Sequence, residues 1–279
     1  MTSLFTFSGV QPVQPPAAWI GGKRKLAERL ASMIEQVPHD LYAECFVGMG
    51  GVFFRRKLAP RAEVINDRSG DVANLFRILQ RHYQQFMDVL RFQVTSRREF
   101  ERLVRCDPST LTDLEKAARF LYLQRLSFGG KVTGQNFGVD MTGGARFNLN
   151  RLGPVLEDVH ERLAGVVIEN LDWRQFIDRY DRPGTLFYMD PPYYGNEGDY
   201  GEGLFSRADF ADMAERLSHL QGRFILSLND RPEVRGIFAD FRITDVPTHY
   251  SIAGGDGKNV REVIIMDQKE PRIDNLPGR

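Results

Sequence analysis

A chain of 279 residues that is 42% hydrophobic and 27% charged is long enough to bury a sizeable α/β core, and it has the composition of an ordinary globular protein. Its 37 basic and 37 acidic residues cancel, which excludes a polycation, and two cysteines, Cys45 and Cys106, supply neither a disulfide framework nor a zinc site. No apolar run approaches membrane-spanning length and no early segment has the basic-then-apolar form of a secretory leader, so a reducing, cytoplasmic location is expected, with no membrane and no metal.

Residues 1–18 hold Pro12, Pro15 and Pro16 with little periodicity and read as an irregular arm. Trp19-Ile20-Gly21-Gly22-Lys23 then opens a helical pattern through Leu26, Leu30 and Met33, with Lys23 placed to meet a carboxylate at that helix start. Leu41 to Phe46 reads as a strand. The tight turn Val47-Gly48-Met49-Gly50-Gly51 leads from it into a predicted helix containing Val52, Phe53, Phe54 and Leu58. Strand, glycine turn and helix is an arrangement in which the backbone approaches a nucleotide-like ligand. A second strand, Ala62 to Asn66, ends at Asp67, where an acid can accept hydrogen bonds from ribose hydroxyls. Gly-x-Gly-Gly is not the full dinucleotide fingerprint, so the nature of the nucleotide stays open at this point.

From Asp71 to Arg151 the pattern turns helical, through Val72, Leu75, Phe76 and Leu79, then Phe100, Leu103 and Val104, then Phe120, Leu121 and Leu123. This stretch carries 13 Lys/Arg against 8 Asp/Glu, a basic sub-region on an otherwise acidic chain, which suits a nucleic-acid face as well as a solvated one. It ends in the glycine-rich polar loop Ser127 to Asn136, which is long enough to carry specificity.

The α/β pattern resumes with a helix from Gly153 to Leu163, a strand Val166 to Asn170, and Leu171-Asp172-Trp173. Leu186-Phe187-Tyr188-Met189 then runs into Asp190-Pro191-Pro192-Tyr193. The apolar run reads as a buried strand, and the prolines end it because neither can donate to a sheet ladder. Asp190 therefore sits at a strand's carboxyl end, where open α/β sheets keep their ligand chemistry. A carboxylate, fixed carbonyls and an aromatic face suit an amino group on a flat ring. A helix from about Ser206 to Leu220, a strand Arg223 to Leu228, a helix beginning at Pro232, and strands Phe241 to Val246 and Val260 to Asp267 complete the chain. The last two strands, joined without a helix, should be antiparallel. The tail after Gln268 is polar.

Taken in order, these motifs resemble the Dam-like (D12 class) DNA adenine N6-methyltransferases, over roughly Trp19 to Asp267. Trp19-x-Gly21-Gly22-Lys23 resembles that family's first cofactor motif, and Glu44 to Gly51 its glycine loop, with Cys45 where proline is usual. Asp67 matches the ribose-binding acid, Asp172 the acid near the cofactor adenine, and Asp190-Pro191-Pro192-Tyr193 the catalytic motif. Phe205 and Arg261-Glu262-Val263 also fit. The resemblance implies an α/β Rossmann-like sheet of seven strands, mostly parallel with the last strand antiparallel, and an inserted helical target-recognition region. It implies a catalytic domain over 19–70 and 152–268, an insertion over 71–151, and arms at 1–18 and 269–279.

It further implies S-adenosylmethionine as cofactor, held by Trp19, Lys23, Glu44, Phe46, Gly48, Gly50, Asp67, Asp172 and Asp190. DNA would be the partner, met by Arg125, Lys131, Thr133, Asn136, Arg146, Lys258 and Arg261, and a cognate restriction nuclease stays open. Thr133 stands where GATC-specific members carry an arginine, and Ala18 where they carry a lysine, so a context other than or looser than GATC is expected. Two rivals remain at this stage: methylation of another planar amine, such as an RNA base or a protein glutamine, and a catalytically silent DNA-binding protein on the same fold. Neither cysteine has the Pro-Cys context of a cytosine-C5 enzyme.

Overall fold

The computed structural model describes residues 6–23, 26–132, 134–138, 146–201, 203–246 and 261–269. Thr133, Lys258 and most of the glycine-rich connection before Arg261 lie outside them. Seven strands form the central sheet: β2 (Leu41–Glu44), β4 (Ala62–Asn66), β5 (Val167–Glu169), β6 (Thr185–Met189), β7 (Arg223–Asn229), β8 (Arg242–Val246) and β9 (Glu262–Met266). Their order is β5-β4-β2-β6-β7-β9-β8; β9 runs antiparallel to both neighbours and the other pairings are parallel. A separate two-stranded ribbon pairs β1 (Ser8–Gly9) with β3 (Leu58–Ala59).

The strand β6 shows why this sequence builds a central strand. All five of its residues are buried. Leu186 and Tyr188 face one core, while Phe187 and Met189 face the other, the two-residue alternation of a pleated strand covered on both faces. The second core packs α7 (Trp173–Tyr180), α8 (Asp209–Ser218) and α9 (Pro232–Ile237) through Trp173, Phe176, Phe210, Met213 and Val234. The first takes α1 (Ala27–Gln36), α2 (Gly70–Arg81), α3 (Tyr83–Arg91), α4 (Arg97–Arg105), α5 (Asp113–Leu126) and α6 (Leu149–Arg162). Residues 71–151 thus interrupt the chain between β4 and β5, yet their apolar side chains share one continuous core with the sheet.

Three sequence expectations are corrected here. The glycine turn does not lead into a helix: only one tight turn, Phe53–Arg55, forms, and Leu58 belongs to β3. Arg56 takes an extended conformation and buries its guanidinium against Glu63, while the Lys57 and Leu58 amides donate to Glu35, so the backbone leaves helical geometry. The arm before Trp19 is irregular but docked: Val10 and Val13 donate to the Lys57 and Phe54 carbonyls at 2.8 Å, and Ala17 is buried. Finally, α6 begins at Leu149 rather than Gly153, because the Asn148 side chain accepts the Asn150 amide at 3.0 Å and caps it with Pro154 inside.

Candidate active site

The strand order reverses between β2 and β6, and a crevice opens at the carboxyl ends there. Glu44 ends β2 in register with Tyr188 of β6, two residues before Asp190. A cavity of about 550 Å³ lies at this point, lined by Trp19, Lys23, Glu44, Phe46, Gly48, Asp67, Asp190 and Pro192 among others. Its size falls in the range of small-molecule sites.

The floor is the glycine turn. Gly48 has φ +51°, and a Cβ there would lie 2.5 Å from Nε1 of Trp19, so only glycine lets the indole pack against the turn. The Gly48 amide donates to Asp67 Oδ2 at 2.8 Å and the Ser69 amide to Oδ1 at 2.9 Å. Burial still pushes the Asp67 carboxyl up to about 6 against those two hydrogen bonds. Gly50 sits one layer back, against the Phe54 ring, and does not line the cavity. Phe46 and Phe205 meet edge to face at 5.9 Å and form an apolar wall.

Glu44 is buried, with the Tyr42 hydroxyl donating to Oε2 at 2.6 Å. Burial drives its carboxyl up to about 8; the Tyr42 bond and the Arg56 charge oppose this, and Asp190 adds to it. A neighbouring cation would favour the ionised form of this buried acid.

The Asp190-Pro191-Pro192-Tyr193 turn is fixed from three sides. Asn229 at the end of β7 holds the next residue from both ends, accepting from the Tyr194 amide and donating to its carbonyl, each at 2.9 Å. Ser227 Oγ donates to Asp190 Oδ1 at 3.1 Å, and Lys23 Nζ approaches the same oxygen at 2.8 Å. Burial raises the Asp190 carboxyl to about 6; Lys23 and Ser227 pull it down, while Glu262 pushes it up. Among the described residues no donor reaches the Pro191 or Pro192 carbonyls.

The remaining expected contacts divide. Asp172 caps α7 by accepting the Arg174 amide at 3.0 Å and pairs with that arginine, and it stands outside the cavity lining. Arg125, expected among the DNA contacts, straps two segments together. Its two Nη atoms donate to the Pro16 and Arg146 carbonyls at 3.2 and 3.1 Å, and it lines the cavity. Lys131 and Asn136 are exposed on the loop whose Val132 reaches the cavity, and Arg261 is exposed before β9. The loop is docked: the Gly130 carbonyl accepts from the Ile20 amide at 3.1 Å and from Gln124 at 2.7 Å, and Gln124 also holds the Ala18 carbonyl at 2.8 Å. Sequence reasoning missed Ser227, Asn229, Tyr42 and Gln124. The signal for the first two was polar residues at alternate positions in the apolar run of β7.

Comparison with known proteins gives the chemistry. The family model for the D12 class N6 adenine-specific DNA methyltransferases matches residues 19–252. The chain is 25% identical over 285 residues to the type II methyltransferase M1.LlaDCHI of Lactococcus lactis subsp. cremoris, covering 91% of this chain and 95% of that one. It is 20% identical over 264 residues to the type II methyltransferase M.CviBI of Paramecium bursaria Chlorella virus NC1A, covering 91% and 100%. It is also 25% identical over 269 residues to a DNA N-6-adenine-methyltransferase of Escherichia phage P1, covering 88% of this chain and 34% of that one. The match spans both the glycine turn and the Asp190 motif, and the chain belongs to the D12 class of N6 adenine-specific DNA methyltransferases.

Proposed function

We propose that this adenine N6 methyltransferase draws its methyl group from S-adenosylmethionine in the cavity between β2 and β6 and acts on an adenine flipped out of the duplex. The observation that carries the reading is the convergence of Glu44, Gly48 and Asp67 with Asp190, Pro192 and Lys23 on one cavity. The residues fit such a ligand: Glu44 offers a carboxylate to an amino group, Asp67 acceptors to ribose hydroxyls, and Phe46 with Phe205 a wall for a flat ring. When bound, the cofactor supplies an electrophilic methyl group on a sulfonium centre. Flipping costs a few kcal/mol of unstacking. A base stacked on the Tyr193 ring recovers ~1–3 kcal/mol. Asp190 Oδ2 and a proline carbonyl accept the two amine hydrogens and so aim the nitrogen lone pair, which is where much of the acceleration arises. A carboxyl held at about 6 is also a competent acceptor for the proton that N6 sheds.

Within this reading, residues 71–151 form the target-recognition region, with Lys131 and Asn136 at its exposed loop and Arg261 just before β9 as DNA contacts. Residues 129–134 contain Lys131 and no arginine. A lysine reaches a phosphate or one acceptor, whereas guanine is discriminated by a bidentate arginine worth ~1–3 kcal/mol. A context other than or looser than GATC follows. The test is single-molecule sequencing of a plasmid carrying all short contexts after exposure to the protein and S-adenosylmethionine. N6-methyladenine outside GATC is the expected result. Modification confined to GATC overturns the specificity, and its complete absence overturns the reading.

Cofactor affinity should depend on pH through Glu44. Below about 8 its carboxyl is protonated in the free protein, and that proton must leave before an ammonium group can pair with it. Raising the pH from 6 to 8 therefore strengthens binding, by more than about tenfold, until the ligand's own α-amino group loses its charge near 8. Calorimetric titration of S-adenosylmethionine should show this acid limb in the native protein and none in Glu44→Gln.

A further inference from the structure

One ammonium group joins the two halves of the proposed amine site. Lys23 is 2% exposed, on the segment leading into α1. Its Nζ lies 2.8 Å from Asp190 Oδ1, donates to the Tyr193 hydroxyl at 2.5 Å, and stands 3.4 Å from Glu262 Oε2 on β9. Two of the ammonium's three protons are directed at Asp190 and Tyr193, and Glu262 stands at ion-pair distance, so its charge is already balanced by carboxylates of this chain. Lys23 and Ser227 both reach Oδ1 of Asp190, which leaves Oδ2 without a donor among the described residues. The same Nζ lies 4.3 Å from the centre of the Tyr193 ring, so one cation fixes both the carboxylate's rotation and the tyrosine's position.

We infer that Lys23 is a positioning residue and not a cofactor ligand: it selects which oxygen of Asp190 the target amine meets and holds Tyr193 beside it. The inference rests on the proposed role of Asp190 and Tyr193 in receiving adenine. It replaces the cofactor-binding role that the resemblance implies for this lysine.

The charged and titratable groups facing Asp190 are Lys23 from the N-terminal segment, Glu262 from β9, Glu44 from β2, and Tyr188 and Tyr193 from β6 and its turn. Lys23 favours ionised Asp190 and Glu262 disfavours it. Removing one or the other must therefore move the titration in opposite directions, a signature that loss of packing alone does not produce.

The experiment measures single-turnover methylation of duplex DNA against pH, with calorimetric binding of S-adenosylhomocysteine in parallel. Lys23→Met is expected to slow the step roughly 100-fold, as a misplaced reactant does. Its acid limb should move up by about one pH unit, the scale of a lost neighbouring charge. Product affinity should stay within about threefold, in free-energy terms about half of a tenfold change. Lys23→Arg should recover part of the rate and return the limb. Glu262→Gln should move the limb down. An affinity loss in Lys23→Met that equals its rate loss, with the limb in place, would make Lys23 a cofactor ligand and overturn the inference. If Lys23→Met does not fold, an unmoved limb in Glu262→Gln overturns it alone. Native protein that transfers no methyl group to DNA overturns the underlying reading instead, and the same assay shows this before any variant is made.

Discussion

Asp190→Ala is expected to lower the methylation rate about 10³-fold or more while S-adenosylmethionine still binds, since Glu44, Gly48 and Asp67 are untouched. Asp190→Asn should be no better, for a reason specific to this site. Lys23 and Ser227 both donate to Oδ1, so the amide oxygen of an asparagine must take that position. Its NH₂ group then replaces Oδ2 and presents donors to the amine's own N–H donors. The two variants, compared by single-turnover rate and by calorimetry, check the point. An asparagine variant within tenfold of the native rate would show that Oδ2 does not receive the amine.

The largest effect on stability is expected at Glu63, far from the chemistry. Arg162 donates to both Glu63 oxygens at 2.7 and 2.8 Å, and the fully buried Arg56 pairs with Oε1. Arg56 also stacks on Tyr42, 3.6 Å from the ring centre, and Arg162 on Phe53 at 4.2 Å. Glu63→Leu leaves two interior guanidinium groups without their anion, and breaking such a pair costs roughly 3–5 kcal/mol. Denaturant unfolding should show that loss. Burial raises the Glu63 carboxyl, but the Arg162 and Arg56 bonds outweigh it and hold it below the usual glutamate range of 4.5. This group therefore stabilises the native protein above that range, and its contribution disappears as the pH falls through the lowered value. The variant should lack that acid-dependent component. A loss under about 1 kcal/mol, the scale of an exposed pair, would mean the arginines find other partners.

The parts of this molecule legible in its sequence are those set by local covalent constraint. Apolar runs stopped by glycine or proline gave β2, β4, β6 and β7, and the acid closing such a run gave Asp67 and Asp190. What escaped was set by partners distant in sequence. Glu63 and Arg162 are 99 residues apart, and the loss of a helix after Gly51 follows from Arg56 turning inward to that pair. The capping role of Asp172 was hidden because an acid after a strand is the same short pattern whether it meets a nucleotide or caps a helix. The strapping role of Arg125 was hidden because its sequence could not show the Pro16 carbonyl, 109 residues away, that accepts from it.

The Gly130 carbonyl binds the Ile20 amide, Gln124 clamps both Gly130 and Ala18, and a Cβ on Gly130 would meet the Ala18 carbonyl carbon at 3.0 Å. Three residues beyond Ile20 lies Lys23. The loop proposed to choose the DNA sequence and the lysine inferred to hold the amine site are therefore joined through a few hydrogen bonds, and a loop exchanged for another target site is expected to change turnover as well as choice. New specificities in this lineage should arise by inheriting residues 18–23 and 124–136 as a matched pair, and an engineer grafting one without the other should recover binding before catalysis.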